Sequence, residues 1–84
     1  MPERDSLLEE RQKTHGSFRM NAEIAHQIKG VFDNHGYGTA NIIQREALDM
    51  MAMKLARILS GQANFKDHWD DLAGYAKLGS EACD

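Results

Sequence analysis

The chain has 84 residues, and its formal net charge is −3 because thirteen acidic residues outnumber ten Lys and Arg. This acidic balance argues against general binding of DNA or RNA, since proteins that bind phosphate backbones usually carry an excess of cations. Cys83 is the only cysteine, which excludes an internal disulfide and a cysteine-based zinc site. No apolar run reaches the roughly eighteen residues of a membrane span. We therefore expect a cytoplasmic protein with no membrane partner.

The chain length limits the size of the core. A single domain of 84 residues buries a smaller share of its surface than a larger domain does, so its stability alone is modest. We therefore expect copies of the chain to associate into a homo-oligomer.

Residues 1–13 form a charged N-terminal segment, and residues 14–84 form a single helical domain. Ser6 and Glu9 match a capping box, which is compatible with a short helix from about Leu7 to Lys13 if another part of the molecule covers its leucines. Without such cover the segment is a tail. The sequence leaves both alternatives open.

A first long helix is predicted from an N-cap at Ser17 to about Asp33. Its apolar stripe recurs at three- and four-residue steps and comprises Phe18, Ala22, Ala25, Ile28 and Phe32. The glycine-containing stretch DNHGYG that follows is typical of a loop. Tyr37 in this loop is either a lid over the core or a contact residue at the loop tip.

A second helix should begin after Thr39 or Asn41 and end near Leu59, with Gly61 in a left-handed closing position. A third helix should span about residues 67–82. No stretch alternates with a period of two for long enough to form a strand. We therefore predict an all-α fold in which a helical hairpin and one flanking helix make a small domain that oligomerises.

The second helix carries two distinct faces. The face predicted to be core comprises Gln44, Leu48, Met51, Leu55 and Ile58. The opposite face comprises Glu46, Asp49, Met50, Met53 and Arg57. Because two methionines lie among these charges, we expect another subunit to cover this second face.

The third helix is predicted to bury one stripe, with Trp69 as its largest apolar anchor. The stripe comprises Phe65, Trp69, Leu72, Ala73 and Ala76. Gly74 lies in the helix interior, where glycine costs about 1 kcal/mol relative to alanine. Such a residue indicates a close neighbour at that point, and the second and third helices are the expected oligomer contacts.

Acidic residues one turn apart make a metal site one hypothesis. Glu46 and Asp49 on the second helix, with Asp67 and Asp71 on the third, could converge on Mg²⁺, which prefers oxygen ligands. The alternative is structural, because Asp67 can cap its helix and acidic residues in a first turn favour the helix dipole. Both interpretations stay open.

Cations and a loop residue suggest a phosphate site as a second hypothesis. Lys54 and Arg57 could bind an oxyanion, or could pair with carboxylates across a subunit boundary. His15 lies where a loop meets a helix start, and Asn21 follows one turn later. No glycine-rich phosphate loop and no nucleophile motif accompanies these residues.

Three segments of the chain are THGSFRMNAEIAHQIK, QREALDMMAMKLARILSG and DHWDDLAGYAKL. Together they resemble a family of small, largely uncharacterised helical proteins of tailed phages and prophages. The resemblance covers roughly residues 14–82, and it implies a phage-related origin, a bacterial host cytosol and a helical oligomer. The chain more distantly resembles the MazG-like all-α nucleoside triphosphate pyrophosphohydrolases. That resemblance implies Mg²⁺ between paired acidic helices, although Glu46-x-x-Asp49 and Asp67-x-x-Asp70 only approximate the family's pairs.

These patterns leave three functions open. The first is an oligomeric binding protein that holds a phosphorylated nucleotide, and by analogy with phage sponges sequesters nucleotide signals of host antiviral defence. Its candidate ligand-binding residues are His15, Asn21, Lys54, Arg57 and Tyr75. The second is a Mg²⁺-dependent pyrophosphohydrolase that uses the four acidic residues named above. The third is a structural helical assembly protein whose polar face is only an interface.

Overall fold

The computed structural model of the chain describes residues 17–84, which form three α-helices. These are α1 (Phe18–Asn34), α2 (Ile42–Arg57) and α3 (Lys66–Glu81). No β-strand occurs within residues 17–84. The predicted all-α class with three helices is therefore confirmed, and the predicted short helix in residues 1–13 lies outside the described part of the chain.

Side-chain caps fix where α1 and α2 begin. The Ser17 hydroxyl accepts a hydrogen bond from the Met20 amide at 3.4 Å, as the sequence predicts. Of the two residues predicted to cap α2, Asn41 is the one that does so. Its Oδ1 accepts a hydrogen bond from the Gln44 backbone amide at 2.9 Å. In return, the Gln44 side-chain oxygen accepts a hydrogen bond from the Asn41 backbone amide at 3.1 Å. This reciprocal capping box satisfies two amides that lack partners inside the helix.

The connection from α2 to α3 is a π-type turn over Ile58–Gln62. Gly61 within it has φ of +113°, a region that side chains with a Cβ rarely adopt. The predicted left-handed Gly61 is confirmed. Its conformation ends the helical path of α2 and directs the chain towards α3.

The three helices lie in a row with α2 in the centre. α2 packs against α1 and more extensively against α3, whereas α1 and α3 have few contacts with each other. The buried apolar residues of the described chain are mostly alanines, namely Ala25, Ala47, Ala52, Ala56 and Ile58. Small side chains let the backbones approach closely: a methyl group added at Gly79 of α3 would lie 3.8 Å from the Ala47 Cβ of α2.

The flanks of α2 are better covered than its predicted core face. Leu48, Met51 and Leu55 of that face are only half-buried, while Ala47 and Ala56 are fully buried. On the opposite face Met50 is half-buried, and Met53 is 37% exposed. The row of helices therefore leaves both predicted faces of α2 partly open.

α3 is rotated relative to its predicted orientation. Trp69 is 52% exposed, whereas His68 is 1% exposed and is the largest fully buried side chain in residues 17–84. The difference is one residue, or about 100° around a helix. Two contacts explain it: the Trp69 indole N–H donates to the Ala63 carbonyl at 2.8 Å, and the His68 ring packs on Phe65 at 4.8 Å between centroids. The expectation that Trp69 anchors the core of this chain is therefore wrong.

Candidate functional site

An ion pair joins α2 and α3 one turn before Arg57. The Lys54 Nζ lies 2.8 Å from the Asp71 Oδ2, and only 12% of the Lys54 side chain is exposed. The hydrogen bond from Lys54 is the main cause that lowers the pKa of the Asp71 carboxyl. Asp71 is therefore charged near neutral pH and compensates the charge of the mostly covered Lys54 side chain.

Arg57 adds a second cation one turn further along α2. Its charge also lowers the pKa of Asp71, more weakly than Lys54 does. Within residues 17–84 the Arg57 guanidinium has no ion pair and no side-chain hydrogen bond. Among the described residues, Lys54 and Arg57 thus place two cations near the Asp71 carboxylate, in a chain whose overall charge is negative.

Arg57 lines a hollow between α1 and α2, which we call the Arg57 hollow. Its volume is about 110 Å³, and it is lined by Phe18, Asn21, Ala22, Ala25, Met53 and Arg57. The Phe18 ring at its edge is 86% exposed. The Ser60 hydroxyl donates to the Asn21 Oδ1 and lies 3.1 Å from the Arg57 carbonyl oxygen, so it holds the start of α1 against the end of α2.

The first turn of α1 borders the same hollow and contains no acidic residue. The first amides of a helix have no partner inside it, and the helix dipole places partial positive charge there. The positive end of α1 therefore lies beside the hollow that Arg57 lines, and no acidic side chain of that first turn offsets it.

The residues predicted to bind a ligand fall in different places. Asn21 and Arg57 line one hollow, although they are far apart in sequence. Lys54 is engaged with Asp71. Tyr75 lies between α2 and α3, where it lines two other hollows, and His15 is outside the described residues.

The acidic residues of the metal hypothesis are likewise dispersed. Asp71 pairs with Lys54, and Asp49 accepts a hydrogen bond from the Tyr37 hydroxyl at 2.9 Å. Glu46 lines a hollow with Asp49, while Asp67 is exposed in the first turn of α3. Within residues 17–84 of one chain, no three His, Cys, Asp or Glu side chains are close enough together to hold a metal ion.

Tyr37 packs back against α1 and α2 and does not project from the loop tip. Its ring stacks on Phe32 with 6.0 Å between centroids and 2° between planes. The hydrogen bond to Asp49 is the main cause that raises the pKa of the Tyr37 hydroxyl. The short 3-10 helix that follows α1, Gly36–Thr39, is thereby fastened to α2. Sequence spacing could not predict that Asp49 accepts the hydrogen bond from Tyr37, because this contact depends on how the segment after α1 folds back onto α2.

The fold and the site define the chain as a small all-α domain of three helices in a row, with a hollow lined by one arginine at the end of its central helix. The chain belongs to the family described as domain of unknown function (DUF6378), whose model matches residues 3–83. No curated protein and no solved structure matches the chain. None of the helices in residues 17–84 is long and apolar enough to cross a membrane.

Proposed function

We propose that the chain forms a homo-oligomer that binds a phosphorylated nucleotide at the Arg57 hollow. The observation that carries the proposal is the local charge: within residues 17–84, Lys54 pairs with Asp71, and Arg57 has no ion pair. One positive charge is therefore left for a ligand. A phosphate group supplies the matching negative charge, and the planar guanidinium of arginine can bind two of its oxygens at once.

The other groups around the hollow suit a nucleotide better than a free phosphate. The exposed Phe18 ring offers a face on which a base can stack, an interaction that is tolerant of base identity. Asn21 also lines the hollow, where its Oδ1 accepts a hydrogen bond from the Ser60 hydroxyl. The hollow of about 110 Å³ is smaller than a typical small-molecule site of roughly 300 Å³ or more. We infer that it receives the phosphate group while the base lies outside on Phe18.

Homo-oligomerisation is supported by the apolar surface of the described chain. Nine large apolar side chains are substantially exposed, from Met53 at 37% to Phe18 at 86%. A contiguous exposed apolar surface commonly marks an interaction site. The resemblance to phage proteins supports a role inside an infected bacterium, where binding without turnover would sequester nucleotide signals of the host's antiviral defence.

The proposal is tested by incubating the protein with linear and cyclic nucleotides, with and without Mg²⁺, then denaturing it and separating the released ligand by chromatography. We expect intact nucleotide to be recovered. Release of cleaved nucleotide and pyrophosphate that depends on Mg²⁺ would instead support the pyrophosphohydrolase hypothesis. No retained nucleotide would favour a purely structural assembly protein.

Arg57→Ala should weaken nucleotide binding by about tenfold to a hundredfold, the usual effect of losing a hydrogen bond to a charged group. Arg19→Ala is the matched control, because the Arg19 side chain is 89% exposed, pairs with Glu23 and does not line the hollow. Binding is measured by calorimetry and the oligomeric state by sedimentation. Equal affinities for the two variants, or dissociation of Arg57→Ala into monomers, would contradict the assigned role of Arg57.

A further inference from the structure

Another hollow lies where the 3-10 helix Gly36–Thr39 meets the start of α2. Its volume is about 460 Å³, and it is lined by Tyr37, Ile42, Arg45, Glu46 and Asp49. This volume falls in the range of roughly 300–1,000 Å³ that is typical of small-molecule sites. We call it the Arg45 hollow. It shares no lining residue with the Arg57 hollow, and the two arginines are about 18 Å apart along the axis of α2.

Arg45 has a hydrogen-bond donor that the described chain does not satisfy. Its side chain is half-buried, and its Nε is buried without a hydrogen-bond partner. None of the ion pairs within residues 17–84 includes Arg45. Folded proteins rarely leave a buried donor without an acceptor. Because a guanidinium can bind both oxygens of a carboxylate, a carboxylate in the hollow would supply the acceptor that Arg45 lacks.

Two acidic side chains line the same hollow, so a ligand with only negative charge is a poor match. Asp49 accepts the hydrogen bond from Tyr37 at 2.9 Å, and Glu46 is exposed. Neither belongs to an ion pair among the described residues. The lining therefore carries one positive and two negative charges. A phosphate would be repelled by the carboxylates, whereas an ammonium group would be attracted to them.

The opposite charges lie near one another in the hollow. The hydrogen bond to Asp49 is the main cause that raises the pKa of the Tyr37 hydroxyl, and the positive charge of Arg45 lowers it. Arg45 and Asp49 thus act on the same hydroxyl group, and both line the hollow. One small molecule can therefore reach the guanidinium and a carboxylate at the same time.

We propose that the Arg45 hollow binds a free α-amino acid with an apolar side chain. The carboxylate of the amino acid pairs with the Arg45 guanidinium, and its ammonium group pairs with Asp49 and Glu46. Ile42, which is 75% exposed, and the Tyr37 ring provide the apolar contacts for its side chain. This site lies outside the nucleotide site of the proposed function and does not depend on it.

The ligand class is tested by titrating the wild type with L-leucine and recording amide and arginine Nε–H signals by NMR. Leucine should shift the signals of residues 37 and 42–49 and the Arg45 Nε–H saturably, and leave those of residues 18–25 unchanged. Leucinamide lacks the carboxylate and N-acetyl-leucine lacks the ammonium group, so each should bind at least about tenfold more weakly. Equal binding of either analogue, no saturable shift with leucine, or equal shifts with inorganic phosphate would overturn the proposal.

Arg45→Gln tests the arginine itself and should weaken leucine binding by about tenfold or more. Arg19→Gln is the matched control, because the Arg19 side chain is 89% exposed and does not line the hollow. Since Arg45 has no ion pair within residues 17–84, both variants should melt at similar temperatures. A folded Arg45→Gln variant with the leucine affinity of the control would refute the site.

Glu46→Gln provides a second variant that does not depend on the stability of Arg45→Gln, because Glu46 is exposed. It should also weaken leucine binding, since it removes a charge that attracts the ammonium group. Its affinity for leucinamide should fall as well, whereas its affinity for N-acetyl-leucine should not. A Glu46→Gln variant that binds leucine like the wild type would contradict the assigned ammonium contact.

The amino-acid site and the nucleotide site can fail separately. A wild type that binds leucine at the Arg45 hollow and retains no nucleotide would refute only the nucleotide proposal. Nucleotide retained through Arg57, with no saturable shift by leucine, would refute only the amino-acid site.

Discussion

Lys54 depends on a single carboxylate for its charge compensation in the described structure. Its side chain is 12% exposed, and its ammonium lies 2.8 Å from Asp71. Removing one partner of a poorly solvated ion pair is more harmful than replacing the charge by an apolar group of similar length. We therefore expect Asp71→Ala to lower the midpoint of thermal unfolding more than Lys54→Met does. Melting curves at neutral pH compare the two, and equal midpoints would mean that Lys54 remains well solvated.

The same pair makes stability sensitive to acid. Because the pKa of Asp71 is lower in the folded chain than in the unfolded chain, its stabilising contribution is full above the unfolded pKa of about 3.9 and is lost as the pH falls through the folded pKa. The difference in melting midpoint between the wild type and Asp71→Asn should therefore be constant near neutral pH and shrink below about pH 4. A difference that does not change down to pH 2 would contradict this assignment.

Asn41 joins two helix ends with one side chain. Its Oδ1 caps the start of α2, and its Nδ2 donates to the carbonyl oxygen of Ala82 at the end of α3, at 3.0 Å. Asn41→Ala should reduce the free energy of unfolding by about 1–2 kcal/mol, the usual cost of losing an N-cap. Asn41→Asp preserves the cap but removes the donor to Ala82, so we expect a smaller loss.

Denaturant unfolding of these two Asn41 variants gives the comparison. Thr39→Ala is a suitable control, since the Thr39 hydroxyl donates to the Gly36 carbonyl at 2.6 Å and does not cap α2. If Thr39→Ala and Asn41→Ala destabilise equally, the helix start is not determined by the Asn41 cap.

Local chemistry made the helix ends predictable. Ser17, Asn41 and Gly61 each act within a few residues of their own position, so the sequence contains most of the information that sets those ends. The rotation of α3 was not predictable in this way. Apolar periodicity places Trp69 inside, whereas its actual orientation depends on a carbonyl in the preceding turn and on the ring contact between Phe65 and His68.

The candidate site was predictable only in part, because it too depends on contacts between residues that are far apart in sequence. Arg57 and Asn21 have side chains suited to binding an anion, and the sequence indicates both as candidates. Their meeting in one hollow depends on how α1 packs on α2. The pairing of Lys54 with Asp71 similarly depends on the register of two antiparallel helices. Residue type thus indicated which side chains could bind an anion or form an ion pair, and tertiary packing decided which of them lie together.

At the scale of the whole molecule, the proposed homo-oligomer makes a prediction about how stability depends on concentration. If folding and association are linked, the midpoint of thermal unfolding must rise with protein concentration. For a dimer of domains of this size, a tenfold increase should raise the midpoint by about 3–6 °C. Differential scanning calorimetry measures this shift. A midpoint that is independent of concentration would indicate that the folded monomer is stable without a partner.

The row of helices also shapes how the chain can fold. Because α1 and α3 meet α2 but have few contacts with each other, the contacts that define the fold join segments that are neighbours along the chain. Such local topology favours fast folding, since no long loop must close before packing begins. It also means that α1 can detach while the α2–α3 hairpin persists. Opening of the Arg57 hollow then requires only a local unfolding step, and its free energy can be well below that of global unfolding.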